Sequence, residues 1–117
     1  MLVSGPGISS YIDHTNLKPV SRFAEIVQLC REAVQYGFAA VCVPPFVVDR
    51  AVREIKGSSV KIATVIGFPL GYAAAGAKWD ECLRAMEDGA DELDVVINLL
   101  ALKNGLWNYL AVEMDPL

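Results

Sequence analysis

The chain has 117 residues and a net charge of −4; 54% of its residues are apolar and 21% are charged. This length and composition predict one globular domain with its own core and exclude a disordered chain. The acidic balance argues against a nucleic-acid partner. No apolar run approaches the roughly 18 residues that a membrane-spanning helix needs, so no membrane partner is expected either. A mean hydropathy of +0.38 indicates strands buried on both faces, or apolar surface that awaits a partner.

The sulfur and imidazole side chains bear on compartment and metal binding. Cys30, Cys42 and Cys82 are odd in number and form no Cys-x-x-Cys pair, which is typical of free thiols in a cytoplasmic protein. The one histidine, His14, cannot build a histidine-rich metal site. The chain has no glycine-rich dinucleotide motif and no P-loop motif. We therefore expect a cytoplasmic protein that uses neither a metal nor another cofactor.

Four strand-like segments alternate with helix-like ones. The predicted strands are residues 11–15, 38–43, 61–68 and 92–98, because each is a short run rich in β-branched or other apolar residues. A helix is predicted after each strand, and the third covers about residues 74–88. The residues that set the helical spacing are, in chain order, Ile26, Leu29, Cys30, Ala33 and Val34; Val48, Ala51, Val52 and Ile55; Trp79, Cys82, Leu83 and Met86; and Trp107, Leu110, Ala111 and Met114.

This element order predicts an α/β fold with a parallel sheet and crossover helices. Two architectures fit a single unit of residues 1–117: a (β/α)4 half of a TIM barrel, and a small doubly wound sheet. A complete barrel needs about 200 residues or more. Polar, glycine and proline residues gather where the strands are predicted to end, at residues 13–15, 44–45, 67–71 and Asn98. Active sites of α/β proteins lie at that edge of the sheet.

The last predicted strand carries an unusual carboxylate. Alternation places Leu93, Val95 and Ile97 on one side of this strand and Asp94 on the other. A carboxylate buried without a partner costs several kcal/mol or more, so Asp94 is expected to have a cationic or hydrogen-bonding partner, or a raised pKa. Asp94 is therefore the first candidate for chemistry, and the alternative is a structural carboxylate that caps a loop.

Four segments, in order, resemble those of deoxyribose-phosphate aldolases. Asp-His-Thr-Asn-Leu-Lys-Pro, residues 13–19, resembles the opening Asp-His-Thr-x-Leu-Lys-Pro of that family. Phe-Ala-Ala-Val-Cys-Val, residues 38–43, resembles its second strand, and Ala-Thr-Val-Ile-Gly-Phe-Pro-Leu-Gly, residues 63–71, its third strand and loop. Gly-Ala-Asp-Glu-Leu-Asp-Val-Val-Ile-Asn, residues 89–98, resembles the fourth. The resemblance covers about residues 11–113, and four motifs in the right order are a far stronger signal than one.

The resemblance implies a (β/α)8 barrel that reversibly cleaves 2-deoxyribose 5-phosphate to acetaldehyde and glyceraldehyde 3-phosphate. It implies a lysine Schiff base, no metal, and a small sugar phosphate as the partner. By the same resemblance, Asp94 matches the aspartate that transfers protons with the catalytic lysines. Cys42 matches a pocket cysteine near the substrate, and Asp13 matches an aspartate at the end of the first strand that lines the site.

The resemblance is to the amino-terminal half of the family's barrel alone. The family's Schiff-base lysine lies on the sixth strand, its partner lysine on the seventh, and the phosphate-binding loops follow the seventh and eighth strands. The chain thus resembles a truncated lyase that is not active alone. Lys18 and Lys103 follow the first and fourth strands, so they are the alternative amines. A solvated loop lysine is the default interpretation of each.

Half a barrel leaves its first and fourth strands with unpaired edges, and leaves the inner face without an opposite wall. Such edges and apolar surfaces favour association, so a homo-oligomer is expected. Two functions stay open at this point. One is an aldolase-family lyase chain, and the other is a non-catalytic half-barrel that self-associates or binds a partner or a sugar phosphate.

Overall fold

The computed structural model of the chain describes residues 7–116, so residues 1–6 and Leu117 of the predicted single unit lie outside it. The described strands and α-helices are β1 (Asp13–Thr15), α1 (Phe23–Tyr36), β2 (Ala40–Val43), α2 (Val48–Glu54), β3 (Lys61–Ile66), α3 (Ala75–Asp88), β4 (Glu92–Val95), α4 (Leu99–Lys103) and α5 (Trp107–Met114). Short 3-10 turns cover Ile8–Tyr11 and Pro45–Val47. None of these helices is long and apolar enough to cross a membrane.

The four strands are parallel, and their order in the sheet is β1-β2-β3-β4. Each crossover therefore steps to the next strand in the same direction. Right-handed crossovers that all step one way place their helices on one face of the sheet. A doubly wound sheet instead reverses direction and covers both faces. The sequential order thus excludes the doubly wound alternative and confirms the (β/α)4 half of a TIM barrel.

The main core lies between the sheet and its helices. The sheet contributes the outer-face residues of β2 and β3, and α1 and α2 contribute the stripes that face them. The buried members are Ile26, Leu29, Cys30, Ala33, Val41, Val43, Val47, Val48, Ala51, Ile55, Val60 and Ile62. These residues seat the helices against one side of the sheet, which leaves the other side as the inner face of the half-barrel.

Small residues line the inner face. Ala40 and Cys42 of β2 pack against Ala63 and Val65 of β3, and Leu17 from the loop after β1 packs against this cluster. This cluster is separate from the main core and lies on the side of the sheet opposite the helices.

Both outer strands are shorter than the sequence predicts. β1 begins at Asp13 because residues 8–11 form a 3-10 turn, in which Ile12 N–H donates to the carbonyl of Ser9 at 3.1 Å. β4 ends at Val95 because Asn98 instead begins α4, a helix that the sequence analysis lacks. The Asn98 side-chain oxygen accepts the Ala101 N–H at 3.0 Å, which is an N-cap contact.

The buried face of α3 also differs from its prediction. Lys78, Cys82 and Ala85 are buried, whereas Leu83 and Met86 are 55% and 51% exposed. The buried stripe lies roughly a quarter turn of the helix away from the predicted one. A search for apolar residues selects the wrong stripe because it leaves out a lysine. Val34 in α1 and Trp107 in α5 are exposed as well, although their spacing predicts burial.

Candidate active site

The inner face brings together the acidic and thiol side chains singled out in the sequence. In the strand register Thr15 is aligned with Cys42, Cys42 with Ala63, and Ala63 with Glu92. Asp13 lies two residues before Thr15 and Asp94 two residues after Glu92, so both project from this same face. The fold therefore places Asp13, Cys42 and Asp94 on one surface, with Glu92 among them.

Asp94 is exposed, which corrects the expectation that it is buried with a partner. The ion pairs found between residues 7 and 116 do not involve its carboxylate. The cause is its position, because β4 is the last strand of this sheet and no fifth strand covers it. The carboxylate thus faces the open side of the half-barrel, where a further strand of a barrel would lie.

The pKa of the Cys42 thiol reflects the burial and the negative charge of the inner face. Burial raises the pKa of its thiol from the ordinary 9.0 to about 11. The negative charges of Asp94, Asp13 and Glu92 are the smaller causes of this rise, and a hydrogen bond with Thr15 opposes it. Cys42 is therefore a neutral thiol at physiological pH, and the face around it is negative. A cationic side chain placed here would be stabilised.

The two candidate residues of β1, Asp13 and His14, project to opposite faces of the sheet. Asp13 is the first residue of the strand, not its last, because the strand is only three residues long. His14 projects to the helix side, where its Nε2 lies 2.9 Å from Oε1 of Glu32 and its ring packs against Phe38. That hydrogen bond, helped by one from Gln28, lowers the pKa of Glu32. His14 and Asp13 thus do not form a catalytic dyad.

A cleft of about 420 Å³ opens at the carboxyl ends of β1, β2 and β3. Its walls are mainly apolar and come from the loops that follow these strands, with Leu17, Pro44, Val65, Phe68 and Pro69 among the lining residues. Val65 is aligned with Asp94 in the β3–β4 register. Val65 thus connects the cleft to the inner face beside Asp94, and the cleft opens at the edge where α/β enzymes bind substrate.

The two alternative amines lie away from the inner face. Lys18 is exposed in the loop after β1, and Lys103 is exposed at the end of α4. Neither has the burial that activates a lysine as an imine-forming nucleophile. Among the described residues, no three His, Cys, Asp or Glu side chains are grouped as a metal ion would require.

The sequence analysis misses a buried ion pair close to the end of β4. Lys78 of α3 and Glu113 of α5 are 1% and 2% exposed and form a salt bridge. The Lys78 ammonium also donates to the carbonyl oxygens of Gly71 at 2.8 Å and Val96 at 2.9 Å. The sequence signal that identifies Lys78 as a buried residue is its spacing. It lies four residues before Cys82 and seven before Ala85, on the same side of α3.

Comparisons with known proteins agree with this geometry. The model of a family described as DeoC/LacD family aldolase matches residues 8–114. A deoxyribose-phosphate aldolase of Thermococcus gammatolerans is 50% identical over 113 residues, which are 95% of this chain and 50% of that protein. The chain spans about half the length of the curated relatives it matches.

Solved structures match the same half. A structure from Coccidioides immitis, assigned as a deoxyribose-phosphate aldolase, superposes with a TM-score of 0.89 at 40% identity, over 91% of this chain and 42% of that one. A tetrameric deoxyribose phosphate aldolase from Aeropyrum pernix superposes with a TM-score of 0.71 at 32% identity, over 92% of this chain and 47% of that one. The (β/α)4 fold described above is thus the fold of half of each of these chains.

Proposed function

Because this chain belongs to the DeoC/LacD aldolase family, we propose that it forms the amino-terminal half of a lyase barrel that cleaves 2-deoxyribose 5-phosphate. The products are acetaldehyde and glyceraldehyde 3-phosphate, and the reaction is a reversible aldol cleavage through a lysine imine. One observation carries the proposal: Asp13, Cys42 and Asp94 share the inner face beside the cleft at the carboxyl ends of the strands.

Each residue has a role in this proposal. The exposed carboxylate of Asp94 relays protons between the substrate carbon and a lysine amine. The neutral thiol of Cys42 lines the pocket wall, and Asp13 adds negative charge that orients a cationic neighbour. Lys18 and Lys103 both lie off the inner face, and Lys61 stands at the amino end of β3, away from the cleft at the carboxyl ends of the strands. The imine-forming amine therefore comes from a second (β/α)4 unit. That unit is either continuous with this chain or a separate polypeptide.

The charge of the inner face bears on what that second unit is. On the inner face of the four described strands, Asp13, Glu92 and Asp94 are acidic, and Lys61, at the amino end of β3, is cationic. Two copies of this chain that closed one barrel would double the acidic set and gain no lysine near Asp94. Like charges in a confined interior repel each other strongly. A second unit that presents lysine or arginine from its inner face is therefore favoured over self-closure.

Joining this chain to the carboxyl-terminal half of the Thermococcus gammatolerans relative tests the proposal. We expect the joined protein to release acetaldehyde from 2-deoxyribose 5-phosphate, and the Asp94→Asn variant to lose most of that activity. The matched control is Glu87→Gln, which removes an exposed carboxylate from α3. A folded joined protein that releases no acetaldehyde contradicts the proposal, and so does one that is unaffected by Asp94→Asn.

A second candidate function is a non-catalytic half-barrel that self-associates or binds a sugar phosphate. Large apolar residues are exposed in the segment that follows β4, and they are Ile97, Leu99, Leu100, Leu102, Leu106, Trp107, Tyr109, Val112 and Met114. Exposed apolar surface of this extent favours an interface, and the Aeropyrum pernix relative is a tetramer. Light scattering at micromolar concentration tests the self-association in this candidate, which an oligomer supports and a monomer contradicts.

The cysteines support a cytoplasmic location as part of the proposal. Cys30, Cys42 and Cys82 are all buried free thiols. Free thiols are typical of a reducing compartment. Fractionation of the native host should recover the protein with other cytoplasmic enzymes.

A further inference from the structure

We propose that Lys78 is a positioning residue for Asp94, a role that rests on the proposed function. Lys78 belongs to α3, on the outer side of the sheet, and its side chain is 1% exposed. Its ammonium contacts three elements at once: the loop after β3 through the Gly71 carbonyl, the end of β4 through the Val96 carbonyl, and α5 through Glu113. A single buried cation therefore ties together the elements around the end of β4.

The backbone carbonyl at the end of β4 needs a hydrogen-bond donor that the neighbouring strand, β3, does not supply. Val96 N–H donates to the carbonyl of Ile66 at 2.9 Å, so Val96 faces β3. In a parallel pair the carbonyl of that same residue accepts from an amide farther along the neighbouring strand. β3 ends at Ile66, and Gly67 turns the chain away with a φ of +66°. The Lys78 ammonium occupies the place of the missing amide donor.

This contact is two residues from Asp94. Val96 and Asp94 project from the same face of β4, and the outer edge of β4 is unpaired in the described chain. The orientation of the end of β4 is therefore fixed by its contacts on the β3 side. Gly71 also restricts the end of β4, because its backbone packs closely against it. A Cβ on Gly71 would overlap the Ile97 carbonyl oxygen and lie 2.6 Å from the Val96 carbonyl oxygen.

Glu113 explains how an ammonium can be buried here. Its carboxylate neutralises Lys78, and its backbone carbonyl accepts the Trp79 indole N–H at 2.8 Å. The second carboxylate oxygen, Oε2, has no hydrogen-bond partner among residues 7–116. Removing either charge alone would leave the other buried and uncompensated, which damages the fold whatever the role of Lys78. Removing both charges separates stability from positioning.

The test compares the double variant Lys78→Met/Glu113→Leu with the unmodified chain and with Lys56→Met, which removes an exposed lysine. We expect the double variant to stay folded, because it buries no uncompensated charge. Its unfolding midpoint should be somewhat lower than that of the wild type, because the carbonyls of Gly71 and Val96 lose their donor. We expect the amides of Val96 and Leu99 to exchange with solvent about tenfold faster or more, because a charged hydrogen bond to the strand end is lost. Amides of β2 should exchange at the wild-type rate in all three proteins.

A catalytic readout completes the test in the joined protein described above. The double variant should lower kcat about tenfold or more with KM little changed, because Asp94 is misplaced while the substrate pocket remains. Wild-type exchange at Val96 together with wild-type kcat in the double variant overturns the inference. If the unmodified joined protein is inactive, the proposed function fails, and the exchange rates alone decide whether Lys78 orders the end of β4.

Discussion

Val65 and Asp94 occupy aligned positions on β3 and β4, yet Val65 is 6% exposed and Asp94 is exposed. Both project from the inner face of the sheet. Val65 is covered because β2 and the loop residue Leu17 flank it, whereas β4 has a neighbour on one side only. The environment of Asp94 is therefore determined by whatever completes the sheet beyond β4, and in this chain its charge acts mainly on Cys42.

Replacing Asp94 by asparagine should lower the pKa of the Cys42 thiol. Burial, the larger cause of the raised pKa, is unchanged in this variant, but the largest of the three carboxylate contributions is lost. The global stability of the chain should change by no more than about 0.5 kcal/mol, because the carboxylate is exposed and forms no salt bridge with residues 7–116. The measurement is the pH titration of the Cys42 13Cβ chemical shift by NMR.

Glu87→Gln provides the control for that titration, because Glu87 is exposed on α3 and does not contribute to the Cys42 pKa. It should leave the Cys42 titration at its wild-type position, near pH 11. An Asp94→Asn variant that titrates like the wild type would show that the Asp94 charge does not reach the thiol, contrary to the inner-face geometry.

Stability should fall as pH rises from about 9 to about 11. Burial raises the pKa of the Cys30 and Cys42 thiols to about 11, above their ordinary 9.0. In the unfolded chain each thiol loses its proton near pH 9, while in the folded chain it keeps it. The folded state therefore binds more protons in this interval, and the free energy of unfolding declines with pH. The contribution is fully present below pH 9 and is lost as pH passes 11.

Urea unfolding at a series of pH values measures this decline. The Cys42→Ala variant is the matched comparison, because it removes one of the raised thiols and leaves every other titrating group in place. Its stability should depend less steeply on pH between 9 and 11 than that of the wild type. Equal slopes for the two proteins would mean that the Cys42 pKa is not raised by folding.

Gly71→Ala should destabilise the chain by about 2 to 4 kcal/mol. Gly71 has a φ of +70°, which disfavours alanine, and its added Cβ would overlap the backbone at the end of β4. Gly76→Ala is the control, since Gly76 lies in α3 with open space around it. It should stabilise the chain by about 0.5 kcal/mol or more through helix propensity. Chemical denaturation of both variants measures the contrast.

The fold follows from the sequence because local patterns determine it. Four short apolar runs, with helices between them, predict a parallel sheet, and the residues at positions 13–19, 38–43, 63–71 and 89–98 indicate the barrel family. Periodicity cannot give the strand order, since every order of β1 to β4 has the same alternation. The sequential order becomes visible only when the strands pair.

The candidate site is predicted less completely. Alternation within a strand puts neighbours such as Asp13 and His14 on opposite faces, because side-chain direction is a local property. It cannot place Cys42 with Asp94, since that depends on the register between strands. Lys78 and Glu113 are 35 residues apart and meet only after α3 and α5 pack, so no local pattern pairs them. The exposure of Asp94 is equally non-local, because it depends on which strand stands beside β4.

The most direct test of the central claim is the intact mass of two proteins after incubation with 2-deoxyribose 5-phosphate and borohydride. The proteins are this chain alone and this chain joined to the carboxyl-terminal half of the Thermococcus gammatolerans relative. An imine reduced by borohydride adds a fixed mass to the lysine that formed it. We predict no adduct on the chain alone, and one adduct on the joined protein at a lysine outside residues 1–117. An adduct at Lys18 or Lys103 of the chain alone, or none on the folded joined protein, would contradict the account.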